Sequence, residues 1–219
     1  MRTLLRFCAL LFFLLVTLLS LGYFIWYKPA FKVQAGTLFF AEKITDNADN
    51  KINVKLQLEA SEVKKFIEKN KFNSTHCFMI DMSVPSGKQR FFVYNIKKDS
   101  IEMAGLVTHG SGSVRGNNDL YFSNIPGSNC TSLGKYKIGN SYHGRFGLAY
   151  KLHGLERTND KAFERFVVLH GHSCVPVSEV YPLPICPSLG CPTVAPEFLV
   201  KLQEYISRSD KPVLLNIYK

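Results

Sequence analysis

Nothing in this chain repeats, and glycine and proline show no excess: 15 Gly and 10 Pro among 219 residues exclude a collagenous, low-complexity or disordered polymer. Acidic residues are few, 17 against 27 Lys and Arg, so the formal charge is +10 and anionic partners such as lipids, wall polymers or nucleic acid are favoured. No clustered basic motif accompanies that charge, and four of the ten charges are Arg2, Arg6, Lys28 and Lys32, which no acid precedes or follows before Glu42. That distribution argues against a nucleic-acid partner. The cysteines also lack a Cys-x2-Cys knuckle. Cys174, Cys186 and Cys191 stand 12 and 5 residues apart, so a zinc site built on them with His170 and His172 ranks low and no metal or other cofactor is expected. What remains, 46% hydrophobic and 20% charged residues, is the composition of a folded protein. At about 150 residues per domain the length predicts one domain with an appendage.

The appendage is at the amino end. Phe7 to Tyr27 are 21 consecutive uncharged residues, which as a helix cover about 30 Å, the thickness of the hydrocarbon layer. Arg2 and Arg6 precede the run, so the positive-inside rule keeps the amino end cytoplasmic and sends everything after Lys28 across the membrane. Tyr23, Trp26 and Tyr27 sit where an interfacial aromatic belt belongs. A cleaved signal peptide is the competing reading, but its apolar core is usually about 7–15 residues, and the nearest small-residue site, Val33-Gln34-Ala35, lies well beyond it. The reading taken is an uncleaved anchor or signal over 1–29, a tether and entry segment over 30–60, and a folded domain over 61–219 in the cell envelope. Export permits disulfides, and Cys77, Cys130, Cys174, Cys186 and Cys191 are an odd number, which leaves at least one thiol unpaired in a monomer or paired between chains.

Ser61 to Lys71 reads as a short helix with Ser61 as N-cap and Val63, Phe66 and Ile67 on one face. Cys77–Ser83, Arg90–Asn95 and Ile101–Thr108 read as a meander. Gly134–Ile138, Gly147–Leu152 and Arg165–Leu169 read as further strands, the last buried on both faces. A helix begins near Pro196, with Phe198, Leu199, Leu202, Tyr205 and Ile206 on one face, and Pro212–Tyr218 is a closing strand. Many strands and two peripheral helices predict a mostly β barrel or sandwich.

The chemistry concentrates between His170 and Val194. A strand ends at His170-Gly171-His172-Ser173, and a Pro-rich segment leads to Ser188-Leu189-Gly190-Cys191-Pro192-Thr193. A thiol with an ordinary pKa near 8.5 is only slightly ionised at neutral pH and needs an adjacent base to act as nucleophile. His170 at a strand end is the candidate base for Cys191. Gly190 permits close backbone approach, the amides of Gly190 and Cys191 are candidates to face the oxygen of a tetrahedral intermediate, and Ser188 can hold the turn. Residue by residue the bland alternative stands beside this: a satisfied strand-end histidine, and a Cys191 bonded to Cys186 or Cys174.

His170-Gly171 followed by Ser188-x-Gly-Cys191 resembles the signature of the L,D-transpeptidase (YkuD-type) catalytic domain. The resemblance extends upstream to Phe78-Met79-Ile80-Asp81-Met82-Ser83, Val107-Thr108-His109-Gly110 and Thr131-Ser132-Leu133-Gly134-Lys135-Tyr136-Lys137-Ile138, and is closest in wording to the divergent branch called murein L,D-transpeptidase catalytic domain proteins. It implies a mostly β fold in which Cys191 attacks a carbonyl of peptidoglycan stem peptides, with His170 as base. The acyl group then passes to an amine of another stem or to water. Leu189 stands where family members often carry His, and Ser132-Leu133 replace the Pro after Thr, departures that touch substrate and acceptor choice. His109 and His172 are secondary candidates for base or substrate contact, with an exposed loop histidine, beside the Gly-Ser run that follows a strand end, as the plain alternative for His109. The rival function is a non-catalytic wall-binding domain with structural cysteines. If Cys191 is the free thiol, Cys174 with Cys186 is the most local of the remaining pairings, closing a loop on which Tyr181 offers an aromatic contact to substrate, and Cys77 with Cys130 is the default second pair.

Overall fold

The computed structural model describes residue 6, residues 14–21, residue 23, residues 54–116 and residues 119–219. The chain divides into two compact units, Met1–Asn53 and Val54–Lys219. In the first, residues 14–21 are helical and exposed. Among the described residues no helix is long and apolar enough to cross a membrane. Most of the expected span Phe7–Tyr27, and the expected tether as far as residue 53, lie outside the described residues.

The second unit opens with a helix, α1 (residues 54–69), and continues through β1 (His76–Asp81), β2 (Phe91–Asn95), β3 (Ser100–Gly105), β4 (Gly134–Gly144), β5 (Gly147–Gly154), β6 (Val168–Gly171), β7 (Thr193–Val194), α2 (Pro196–Ser207) and β8 (Leu214–Tyr218). All eight strands belong to one sheet in the order β3-β2-β1-β8-β4-β5-β6-β7. The meander β1-β2-β3 is antiparallel, while β8 returns to lie parallel to β1 and antiparallel to β4. Two residues past β3, Val107 bridges Val194 of β7, so the two edges of the sheet meet and it curls toward a barrel. An edge that closes on itself presents no row of unpaired amides.

Both faces of the central strands are covered. β2 and β8 are buried at every position, and β1 at every position after His76. Inside the curl, Phe78, Ile80, Phe91, Val93, Tyr136, Leu152, Leu169, Leu215 and Ile217 pack against Phe198, Leu199 and Leu202 of α2. Phe91 and Phe198 meet edge to face at 5.3 Å. A side chain at Gly105 would strike the Phe198 ring at 2.7 Å, so β3 requires glycine where α2 crosses it. On the other face α1 buries Leu56, Ala60, Val63 and Ile67. Lys55 Nζ bonds Asp81 Oδ1 (2.9 Å) and Asn216 Nδ2 donates to Glu59 Oε2 (3.2 Å), tying α1 to β1 and β8.

Three sequence expectations are corrected. The first helix does not begin at a Ser61 cap: it is already formed at residue 54, and Ser61 is an exposed position inside it, because the buried stripe starts at Leu56. The strand expected from Arg165 begins only at Val168, because residues 155–166 wind through turns that end with Val167 N–H donating to the Ala162 carbonyl (2.9 Å). Phe166, expected inside, is 85% exposed. Cys77 and Cys130 are both free: Cys77 is buried in β1, whereas the Cys130 sulfur packs against the Gly112 turn and donates to the Ser128 carbonyl.

Candidate active site

The parallel pair β6–β7 sets His170 opposite Thr193, two residues past Cys191, and the Cys191 sulfur lies beside the amide of Val168, two residues before His170 on β6. Cys191 is free and half-buried, whereas Cys174 and Cys186 form a disulfide with Cα atoms 6.1 Å apart. That bond removes both as thiolate ligands for a metal, and among the described residues no three His, Cys, Asp or Glu side chains converge as a metal site.

The turn carrying the thiol is pinned through side chains. Ser188 Oγ donates to the Cys191 carbonyl (2.6 Å) and accepts from Gly190 N–H (3.1 Å). Thr108 Oγ1 donates to the same carbonyl (3.1 Å) and accepts from Thr193 N–H (3.1 Å). Of the two amides expected to face an oxyanion, that of Gly190 is therefore engaged within the turn. Gly190 matters for another reason: its φ is +111°, and a Cβ there would lie 2.8 Å from the Cys130 carbonyl oxygen. The Cys191 sulfur accepts from Val168 N–H (3.5 Å) and faces the Phe166 carbonyl (3.8 Å).

The His170 tautomer follows from its partners. Nδ1 is 3.1 Å from the Gly171 carbonyl, which can only accept, so Nδ1 carries the proton. Nε2 then offers a lone pair, and the Thr193 hydroxyl donates to it at 3.0 Å. Phe146, at the β4–β5 tip, stacks on the imidazole (5.1 Å) and meets His172 edge to face (5.5 Å). Burial pulls His170 below its ordinary pKa, opposed by the Gly171 carbonyl and reinforced by His172. Burial likewise raises the Cys191 thiol, opposed by the Val168 amide and the Arg165 charge. Both shifts favour the neutral forms of thiol and imidazole.

The other expected residues separate. The His109 ring is buried rather than on an exposed loop: Arg90 donates to its Nδ1 (3.0 Å), and burial with that cation pushes its pKa down to about 4. What His109 gives the site is its carbonyl, which accepts from Ser188 N–H (2.8 Å). His172 stays beside His170, its Nδ1 accepting from Cys174 N–H (3.1 Å). Tyr181 is exposed on the disulfide loop, where its N–H donates to the Gly87 carbonyl (3.1 Å) and Lys88 lies over its ring.

Thr108, Phe146, Arg165 and Thr193 were not singled out from the sequence. Thr193 had a usable signal, since positions two apart share a strand face and it stands two residues past Cys191. Arg165 had none: its guanidinium donates to the carbonyls of Ser123 (3.1 Å) and Cys130 (2.5 Å) and to Ser132 Oγ (3.1 Å), contacts that exist only in the fold.

No curated protein sequence matches this chain. Among solved structures it is similar to the helical cell shape determining protein Pgp2 of Campylobacter jejuni (16% identity, TM-score 0.42, covering 65% of this chain and 46% of that one). It is also similar to an L,D-transpeptidase of Xylanimonas cellulosilytica (14%, TM-score 0.38, 66% and 60%) and to the Enterococcus faecium L,D-transpeptidase (9%, TM-score 0.41, 65% and 49%). The chain thus spans about half the length of these proteins. A family model, the L,D-transpeptidase catalytic domain, matches residues 48–215, three quarters of the sequence, covering β1 to β7 and the first two residues of β8. The chain belongs to the L,D-transpeptidase catalytic domain family.

Proposed function

We propose that the protein is a cysteine-dependent L,D-transpeptidase acting on peptidoglycan stem peptides in the cell envelope. The observation that carries this reading is a free, half-exposed Cys191 whose sulfur lies beside Val168 of β6, the strand that bears, two residues on, a histidine with its Nδ1 proton fixed by the Gly171 carbonyl. In the reaction the Cys191 sulfur attacks the peptide carbonyl carbon while His170 Nε2, released from Thr193, takes the thiol proton. The C–N bond breaks, the imidazolium protonates the leaving amine, and a thioester remains on Cys191. An acceptor amine then attacks the thioester carbonyl, gives its proton to His170, and restores the thiol. One amide bond is exchanged for another, and water as second nucleophile gives hydrolysis instead. The uncharged run Phe7–Tyr27, preceded by Arg2 and Arg6, supports insertion in a membrane with the catalytic unit outside the cytoplasm.

The test is mass spectrometry of intact full-length protein after exposure to a stem tetrapeptide or a carbapenem. One acyl adduct is expected on Cys191, none on Cys191→Ala, and acylation slowed about 10²–10⁴-fold by His170→Ala if general-base activation is the role of His170. A Cys191→Ala protein that still acylates, or a wild type that never does, defeats the reading.

A further inference from the structure

The β4–β5 hairpin carries a surface that this reaction scheme leaves unused. Residues 134–154 include Lys135, Lys137, Arg145 and Lys151 and no aspartate or glutamate. Lys135 is paired with Glu156 (2.8 Å), but none of the ion pairs among the described residues involves Lys151. Strand register fixes where Lys151 stands. Tyr142 is opposite Ala149, Ala149 opposite His170 and His170 opposite Thr193, one row of side chains on one face of the sheet. The next row on that face pairs Lys151 with Val168, whose amide touches the Cys191 sulfur. The Lys151 ammonium lies 5.6 Å from the centre of the Phe163 ring and 5.8 Å from that of Tyr142. Phe163 is itself stacked on His153 (5.0 Å), and both Phe163 and Tyr142 are exposed, at 53% and 38%. Rings on its flanks hold a cation in place without neutralising it.

We propose that Lys151, framed by Tyr142 and Phe163, binds a carboxylate of the peptide substrate about three residues from the carbonyl that Cys191 attacks; this rests on the reading of Cys191 as nucleophile. The distance follows from the sheet. Lys151 is on β5, two strand spacings from the chain that bears Cys191, or about 10 Å. An extended peptide covers that in about three residues at about 3.4 Å each. An unpaired ammonium beside exposed rings, on a hairpin without acids, selects an anion with an apolar stem, which a carboxylate-bearing side chain supplies.

The experiment compares two matched stem peptides, carboxylates free or amidated, with full-length wild type and Lys151→Met. For the free-carboxylate peptide KM is expected to rise about tenfold in Lys151→Met, the scale of one charge-assisted hydrogen bond. Amidation should weaken the wild type by a similar factor and leave Lys151→Met indifferent. The same peptides are titrated against Cys191→Ala and the Cys191→Ala/Lys151→Met double variant, where binding needs no chemistry. A tenfold loss of affinity confined to the free-carboxylate peptide supports the site even if no thioester ever forms. Equal loss on both peptides, no loss on either, or unfolding of Lys151→Met seen by circular dichroism with unchanged affinity of the folded fraction overturns it. A preference for a phosphate-bearing polymer over the free-carboxylate peptide in the same titration overturns it as well.

Discussion

Strands β1, β2, β3 and β8 share a sheet with β4 to β7, yet the two halves are held differently. In the first half the central strands β1, β2 and β8 are buried on both faces and carry mostly apolar side chains, and only β3 at the edge is partly exposed. In the second, the loops that carry the site are fixed by individual polar contacts, Ser188 and Thr108 on the Cys191 carbonyl and Arg165 on three oxygens of residues 123–132, and at the seam between the halves Arg90 holds His109 and the Val107 carbonyl. Apolar burial is non-directional and tolerates small displacements, whereas a hydrogen bond fixes one atom. A reaction centre needs the second kind of support, and the halves should respond differently to substitution.

The largest expected effect lies in the apolar core. Leu202 of α2 is fully buried. Leu202→Ala is expected to lower stability by about 2–5 kcal/mol, the range for a truncated core leucine, in urea unfolding. Alkylation of Cys191 per folded molecule should stay within about twofold, since burial is not what aims the sulfur. A large loss of reactivity at full folding would erase the distinction between the halves.

Arg165→Lys probes the second half. It keeps the positive charge near Cys191 but cannot reproduce a fork reaching three oxygens. Loss of these bonds should cost about 1–3 kcal/mol locally. Amide exchange should speed up around residues 123–132, and iodoacetamide should alkylate Cys191 about tenfold more slowly. Exchange spread evenly over β1 and β8 instead would mean that Arg165 supports the whole fold.

The same contrast explains what was legible in the sequence. The meander, α2 and β8 are runs of apolar residues with local periodicity, and their identities were read to within a few residues. The Cys191 loop drew notice through its Ser-x-Gly-Cys pattern and family resemblance. What escaped is set by tertiary geometry. Phe166 looked like part of a buried strand because its neighbours Val167, Val168 and Leu169 are apolar, but its backbone has φ +55° and its carbonyl faces the thiol. The start of α1 was missed because Leu56 and Ala60 become a buried face only against β1 and β8. His109 looked like a loop residue beside Gly and Ser, and only the fold supplies Arg90.

His109 stands at the seam where the halves meet, beside the Val107–Val194 bridge. In the unfolded chain it takes up its proton near pH 6.5. In the folded protein it does so only near about 4, because of burial and Arg90. Between those values the unfolded state binds the extra proton, so this group's contribution is complete above pH 6.5 and lost as pH falls toward 4. The loss should reach about 2–3 kcal/mol. Urea unfolding at stepped pH measures it, and His109→Gln, whose amide oxygen can still accept from Arg90, should flatten that part of the curve. An unchanged acid slope in His109→Gln would assign the sensitivity to other groups, His170 first among them.

The smallest expected effect is also the most local. Thr193→Val keeps the shape of a buried side chain and leaves Thr193's main-chain bonds to Thr108 in place, but removes the hydroxyl that donates to His170 Nε2. That bond stabilises neutral imidazole, so its loss raises the His170 pKa. The acid limb of Cys191 alkylation against pH should therefore move upward by a fraction of about one unit, and Thr193→Ser should restore it. Above the limb the rate should rise a few-fold, because Nε2 no longer has to leave the hydroxyl before it takes the thiol proton. Overall stability should change by less than about 1 kcal/mol, one neutral hydrogen bond offset by an added methyl group. If the rate falls at every pH with the limb unmoved, Thr193 orients the ring rather than occupying its lone pair, and the second half of the sheet holds His170 as rigidly as Cys191.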